Sequence, residues 1–211
     1  MAEDGSFFSN IYDKYAKEYV AWFLLMLSDP KGIVEKTRQI QKEGRQSEYL
    51  LIVLAVSVFL GATLGALIPN RPHLNDRITI FVVVSCLWIF LSFFVHFFCR
   101  ILGGKENMNI SLSLMAQNLA FVYVVSNFIT LLVTELRVLY EPFDTFLKSR
   151  LLYDTPGTII FTVQFLLLLF LVPVTISRAH GFTGYTWYVV AMFAASFSIF
   201  FGIPVFALGG C

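Results

Sequence analysis

Apolar residues along this chain fall into one periodic segment near the N-terminus and five long runs. In the segment 7–27, aromatic side chains and one methionine recur at alternating spacings of four and three, the period of one helix face. The stripe comprises Phe8, Tyr12, Tyr15, Tyr19, Trp22 and Met26. Charged residues such as Lys14 and Glu18 occupy the other face. The segment predicts an amphipathic helix in the membrane interface, and packing of the stripe on the protein's own helices is an alternative compatible with it.

Each of the five long runs is long enough to cross a bilayer as a helix, because a crossing needs about 20 residues. They are residues 49–68, 78–99, 110–134, 158–177 and 186–208. Pro173 and Pro204 are expected to kink the fourth and fifth of these helices. The pattern predicts an all-α integral membrane bundle of five transmembrane helices with an N-terminal amphipathic interfacial helix. Residues 1–47 form the N-terminal helices, and residues 48–211 form the transmembrane domain.

The charged residues lie mainly between these runs and predict the orientation of the chain. With the N-terminus inside, 10 Lys and Arg residues fall in cytoplasmic segments and 5 in external ones, which favours a cytoplasmic N-terminus and an external C-terminus. The basic segment 31–46 contains Lys31, Lys36 and Arg38. These cations either attract anionic lipid headgroups, at about 1 kcal/mol each, or serve as a solvated topology signal. The external loop 135–157 is apolar enough to rest on the outer interface as a short helix beginning near Pro142.

Composition excludes several classes of protein. Hydrophobic residues make up 57% of the 211 residues, far above the usual share for a water-soluble domain. A net charge of +1 gives no basis for nucleic-acid binding, which needs a concentrated basic surface. Cys86, Cys99 and Cys211 lack the spacing of metal ligands. The bilayer itself is therefore the first partner that the sequence predicts.

Residues suited to catalysis or ion transport are sparse. None of the five runs has an Asp, Glu, Lys or Arg in its interior, which argues against proton-coupled transport. His73, His96 and His180 are scattered, and His96 with Cys99 alone is too small a set for a metal site. No phosphate-binding loop or hydrolase motif is present. We expect no catalytic residues, no metal and no cofactor, and an enzyme is unsupported.

Polar residues concentrate on one face of the third run. Ser113, Gln117, Ala120, Val124 and Asn127 follow a three-four spacing, with Asn118 beside them. One interpretation is hydrogen bonding between helices that fixes the bundle, worth about 1 kcal/mol per contact. The other is a surface that lines a substrate path or binds a partner. Gln164 in the fourth run is a candidate for a hydrogen bond across the bundle.

Small residues four apart mark places where two helix backbones can approach closely. Gly61 and Gly65 form one such pair in the first run. Ala194, Ser198 and Gly202 form a second series in the fifth run. Together with Gln117, Asn118 and Asn127 they are the candidate helix-association residues, either within one chain or between subunits.

Three stretches, taken in order, resemble the Yip (Ypt-interacting protein) domain family over residues 23–208. They are Phe-Leu-Leu-Met-Leu-Ser-Asp-Pro30-Lys, Arg-Ile-Leu-Gly-Gly-Lys105 and Ser-Arg-Ala-His180-Gly-Phe-Thr-Gly-Tyr. The family's five spans and cytoplasmic N-terminus agree with the pattern. The short N-terminal region is similar to bacterial members, and implies the bacterial inner membrane. Where members often have a proline in the third span, this chain has Val-Val-Ser-Asn-Phe.

Eukaryotic Yip proteins bind Rab-type small GTPases, but no residue here matches a transferable motif for that binding. The sequence therefore predicts a non-enzymatic membrane protein that organises or adapts other membrane proteins through helix contacts, as a homo-oligomer or within a complex. The alternative is a channel or lipid-handling transporter component with a polar path along the third span. A membrane enzyme is the third possibility.

Overall fold

The structure is a computed structural model that describes residues 4–67, 89–139, 156–186, 189 and 190. Its regular elements within these ranges are helices. They are α1 (Asp4–Ser28), α2 (Gly32–Lys42), α3 (Gln46–Ala66), α4 (Ile89–Ile101), α5 (Met108–Leu139) and α6 (Pro156–His180). The predicted all-α class is confirmed for this part of the chain.

Two of the described helices are long and apolar enough to cross a membrane, namely Gln46–Ala66 and Met108–Leu136. Helix α4 and the stretch Leu166–His180 of α6 are apolar but shorter, and α6 continues through Pro173. Residues 78–88 of the predicted second span, and nearly all of the predicted fifth span with Pro204, lie outside the described residues, as does the predicted helix near Pro142. Five crossings therefore stay a prediction.

Helix α5 is central, since it packs against α3 on one side and α6 on the other. Helix α3 buries only one narrow stripe, in which every fourth residue faces the bundle. The stripe consists of Tyr49, Val53, Ser57, Gly61 and Gly65. Outside it, Leu51 and Phe59 are each 70% exposed. A helix that is apolar all round is thus covered by the described chain on one side only.

Helix α1 packs on the bundle through the C-terminal half of its aromatic stripe. Trp22 is fully buried, and its ring meets the edge of Phe121 of α5 at 6.4 Å. The Tyr19 hydroxyl shares a buried hydrogen bond of 3.1 Å with Ser57 of α3. For this half of the stripe, the structure shows the alternative in which the rings contact the protein's own helices.

The helix ends on the α2 side of the bundle have local causes. Gly103 ends α4 and Gly181 ends α6 with positive φ values of 86° and 72°, a conformation that glycine adopts without steric cost. Helix α5 then begins at an Asn107 cap, whose side-chain oxygen accepts the Ile110 N–H at 2.9 Å. The chain therefore turns from α4 into α5 within residues 102–107. This turn, α2 and the C-terminus of α6 meet at one place, called here the α2 end.

Candidate functional site

An ion-pair network centred on Arg38 joins three elements at the α2 end. Its Nε and Nη2 donate to Glu106 Oε2 at 2.9 and 2.6 Å, and Nη2 also donates to the Ala179 carbonyl at 2.8 Å. Nη1 donates to Glu35 at 3.0 Å. Burial is the largest single effect and would lower the pKa of Arg38, but the hydrogen bonds and negative charges of Glu106 and Glu35 together outweigh it, so the pKa is raised. Arg38 thus ties α2 to the α4–α5 turn and to the end of α6.

Beside this network, two histidines share one serine hydroxyl. Ser111 Oγ lies 2.9 Å from His96 Nδ1 and 3.1 Å from His180 Nε2, and it donates to the Asn107 carbonyl at 3.2 Å. With its single hydrogen used there, Ser111 accepts from both imidazoles, which assigns the N–H of His180 to Nε2. The buried Nδ1 of His180 has no hydrogen-bond partner among the described residues. The two histidines, His96 and His180, are joined through Ser111 and are called here the histidine pair.

The histidine pair predicts an acid-sensitive fold. Burial, with a further contribution from His96, lowers the pKa of His180 to about 4, against about 6.5 for an exposed histidine. Between these values the unfolded chain binds more protons, so stability rises with pH over this window and is lost as pH falls from about 6.5 towards 4. We expect the thermal unfolding midpoint in detergent to fall between pH 7 and pH 4.5. His180→Gln should make the unfolding midpoint depend less on pH. An unchanged pH dependence would contradict the lowered pKa of His180 as its cause.

Gly104 is enclosed between the histidine pair and α4. A Cβ at this position would overlap His180 Nδ1 and would lie 2.7 Å from the Cys99 carbonyl oxygen. That oxygen is fixed, because it accepts the Gly104 N–H at 2.8 Å. The second glycine of the Gly-Gly-Lys105 turn is therefore required by the His180 ring, 76 residues further along the chain.

The close fit at Gly104 gives a testable expectation. Gly104→Ala should lower the free energy of unfolding by about 1–2 kcal/mol, because the added methyl group forces the imidazole or the turn to move. Chemical denaturation in mild detergent measures this change. The control is a double-mutant cycle with His180→Ala, because the ring that a Cβ at Gly104 would meet is then absent and Gly104→Ala should cost less than in the wild type. An equal cost in both backgrounds would show that the contact with His180 contributes nothing.

The polar stripe predicted on the third span lies inside the bundle. Gln117 Nε2 donates to Thr37 Oγ1 of α2 at 3.0 Å, and Asn118 Nδ2 donates to Thr175 Oγ1 of α6 at 2.8 Å. Both amide side chains are fully buried. Each amide therefore connects α5 to a different neighbouring helix, as hydrogen bonding between helices requires.

Two other predicted polar residues also form hydrogen bonds, one within its own helix and one to a neighbouring helix. Asn127 Nδ2 donates to the Tyr123 carbonyl of its own helix at 2.6 Å. Gln164 Nε2 of α6 donates to Ser126 Oγ of α5 at 3.2 Å, so Gln164 does bond across the bundle. The face of α5 that carries these residues is thus hydrogen-bonded to α2 near one end and to α6 further along.

The small residues of α3 permit a close contact within this chain. A Cβ on Gly61 would overlap the ring of Tyr123 on α5, and Gly65 is buried on the same stripe. Gly61 therefore serves the α3–α5 contact inside one molecule. Ala194, Ser198 and Gly202 lie outside the described residues.

The predicted interface residues have different surroundings. Tyr19 and Trp22 are buried and Tyr15 is half-buried, while the side chain of Tyr12 lies outside the described residues. Lys31 is exposed and Lys36 is half-buried. Arg38, grouped with these cations from the sequence, instead directs its guanidinium at Glu106 and Ala179.

Sequence reasoning did not find the Arg38 network or the histidine pair. The partners lie 68 and 69 residues apart, so no local spacing indicates them. The available signal was that the Gly-Gly-Lys105 and Ser-Arg-Ala-His180 stretches are both polar turns predicted on the same side. Among the residues that the structure describes, no three His, Cys, Asp or Glu side chains are grouped as a metal site needs.

Comparison of the chain with protein-family models, with curated proteins and with solved structures finds no match. The resemblance to the Yip family stays a prediction based on the three stretches, two of which meet at Gly104 and His180.

Proposed function

We propose that this chain is a non-enzymatic integral membrane protein that organises or adapts other membrane proteins through helix contacts. In this proposal it crosses the bacterial inner membrane five times, with the N-terminus and the α2 end in the cytoplasm. It belongs to the Yip-like membrane proteins on the strength of the three sequence stretches. GTPase binding is no part of the proposal.

Embedding in lipid is supported by the large apolar side chains that the described helices leave exposed. Phe97 and Ile101 of α4 are 64% and 65% exposed, and Phe170 of α6 is 57% exposed. Together with Leu51 and Phe59 of α3 they lie on helices that carry no compensating polar face. Water-soluble monomers rarely expose apolar surface on this scale, whereas lipid chains solvate it.

The observation that best supports the adaptor role is the set of hydrogen bonds that polar side chains form across the bundle. Gln117 and Asn118 donate to other helices of the same chain, and Arg38 donates to the α4–α5 turn and to the end of α6 as well as to its own helix. They hold the α2 end as one unit and leave the outward faces of α3 and α4 apolar. Apolar side chains alone do not draw helices together in lipid, but the exposed small residues Ala55 and Ala66 on the outward face of α3 allow another transmembrane helix to approach closely.

Purification in mild detergent followed by mass measurement tests the proposal. We expect a mass above that of one chain, from self-association or from a co-purified membrane protein. Labelling of both chain ends in intact cells should place them on opposite sides of the membrane. A strictly monomeric protein, or two ends on the same side, would contradict the proposal.

The path-lining alternative has one observation in its favour. The side-chain oxygens of Gln117 and Asn118 are buried and accept no hydrogen bond from a described residue. Replacing Gln117 and Asn127 by leucine separates the two functions. A bundle-fixing role predicts weaker assembly, at about 1 kcal/mol per lost contact, whereas a path-lining role predicts lost flux with assembly intact.

A further inference from the structure

The outward face of α1 changes from charged to aliphatic along the helix. Asp13 and Lys17 are exposed on its N-terminal half. Val20, Leu24 and Leu27 follow on the same side and are 53%, 56% and 57% exposed. Their spacing of four and three places them on one helix face, opposite the buried part of the aromatic stripe. These three aliphatic residues are called here the outer strip, which is about 10 Å long at 1.5 Å per residue.

Contacts with α3 place the outer strip beyond the charged level of the bundle. Lys14 of α1 pairs at 3.4 Å with Glu48, in the first turn of α3. Further along both helices, the Tyr19 hydroxyl shares its hydrogen bond with Ser57, where α3 exposes apolar side chains such as Phe59. Helix α1 therefore follows α3 away from its charged end. The outer strip lies beside a part of α3 that the proposed function places in hydrocarbon.

Exposed hydroxyl groups on these two helices are bonded as they would be in an apolar solvent. Ser28 Oγ, at the end of the outer strip, donates to the Leu24 carbonyl of its own helix at 2.7 Å. On α3, the exposed Thr63 donates in the same way to the Phe59 carbonyl at 2.8 Å. Both bonds run back four residues and satisfy the hydroxyl donor without water, as a lipid-facing position requires.

A lysine without an ion-pair partner stands at each end of the outer strip. Lys17 and Lys31 are exposed, and neither forms a salt bridge with a carboxylate in the part of the chain that the structure describes. The carboxylate of Asp29 lies instead against Gly32, where a Cβ would meet its Oδ2 at 2.5 Å. Free ammonium groups on long side chains can reach headgroup phosphates while an aliphatic strip between them contacts acyl chains. The charges and the strip together complement the surface layer of a bilayer.

A protein partner fits the outer strip less well. A transmembrane helix is apolar over about 30 Å, roughly three times the length of the strip, and would meet charged residues at both of its ends. Stable protein interfaces bury about 1,200 Å² or more, which three half-exposed side chains do not supply on their own.

We infer that the outer strip holds α1 in the surface layer of the bilayer, with Val20, Leu24 and Leu27 among acyl chains. Lys17 and Lys31 then lie at the level of the headgroup phosphates. The C-terminal half of the aromatic stripe, which the sequence suggests as a membrane contact, packs on the protein instead. The inference rests on the proposed embedding in a membrane, and it adds a defined lipid contact of the N-terminal helix to the adaptor role.

Site-directed spin labelling in nanodiscs of phosphatidylethanolamine and phosphatidylglycerol tests the inference. The full chain carries Cys86→Ala, Cys99→Ala and Cys211→Ala, and a single new cysteine then takes the label. The ratio of oxygen to nickel-chelate accessibility should be at least about fivefold higher for Leu24→Cys than for Asp13→Cys, because oxygen concentrates in hydrocarbon and the chelate in water. Asp13→Cys is the matched control, since Asp13 is exposed on the same face of the same helix.

Two further labels extend the test. Leu27→Cys should repeat the high ratio of Leu24→Cys, and it replaces that variant if Leu24→Cys fails to fold. Lys31→Cys should give a ratio between those of Leu24→Cys and Asp13→Cys, as a position at headgroup depth requires.

Three results would overturn the inference. Ratios at positions 24 and 27 equal to that at position 13 would place the strip in water, and labels shielded from both reagents would show that a protein covers it. A ratio at position 31 equal to that at position 24 would refute the headgroup level of Lys31. Phe59→Cys, at a 70% exposed position of α3, separates the two levels of failure. A lipid value there with water values on α1 refutes only this inference, whereas water values on both helices refute the proposed function as well.

Discussion

Replacing Trp22 by alanine is expected to lower the free energy of unfolding by about 3–5 kcal/mol. The bundle excludes the Trp22 indole completely from solvent. Its ring centroid lies 5.2 Å from that of Tyr19 and 6.4 Å from that of Phe121. Truncation removes a large buried apolar group and leaves a cavity between α1 and α5. A helix that only lay on lipid headgroups would lose little folding free energy from the same change.

Chemical denaturation in mild detergent, followed by circular dichroism, measures the effect of Trp22→Ala. Leu24→Ala is the matched control on the same helix, because Leu24 is 56% exposed and should change stability by less than about 1 kcal/mol. A similar small change for both variants would show that α1 does not contribute to the core.

Arg38→Gln is expected to lower the free energy of unfolding by about 2 kcal/mol. The change leaves the Glu106 carboxylate, whose side chain is only 11% exposed, without its cation. Breaking a fully buried pair costs about 3–5 kcal/mol, and the cost here is smaller because the Arg38 side chain is 32% exposed. Glu106→Gln should cost less, since Arg38 keeps the Ala179 carbonyl and Glu35 as acceptors.

A double-mutant cycle tests the pair directly. Arg38→Gln combined with Glu106→Gln should destabilise less than the sum of the single changes, with a coupling of about 1 kcal/mol or more. The control is Arg178→Gln, because Arg178 is 59% exposed and lies 3.8 Å from Glu35, so its loss should cost about 0.5 kcal/mol or less. Additive effects at positions 38 and 106 would contradict the described ion pair.

The helices could be located from the sequence because their signals are local. The segment predicted at 7–27 corresponds to Asp4–Ser28, and the run predicted at 49–68 corresponds to Gln46–Ala66. Asp29-Pro30 marks the end of the first helix, since a proline disfavours helical backbone in the residue before it. Periodicity also predicted that one face of α5 is polar, and Gln117 lies on that face.

The partners of these residues could not be predicted in the same way. The three-four spacing places Gln117 on one face of the helix with Asn118 beside it, but it does not show that one reaches Thr37 and the other Thr175. For Arg38, a basic segment next to a membrane fits a headgroup contact as well as it fits an ion pair. Only the placement of α2 against the α4–α5 turn distinguishes the ion pair from a headgroup contact.

The bond from Arg38 to the Ala179 carbonyl has a consequence for biosynthesis. Its two ends are 141 residues apart, so it cannot form until most of the polypeptide has left the ribosome. At 5–20 residues per second, the guanidinium waits on the order of ten seconds for this acceptor. Throughout that interval the nascent N-terminal region lacks its final anchor, and a chain released before residue 179 never acquires it.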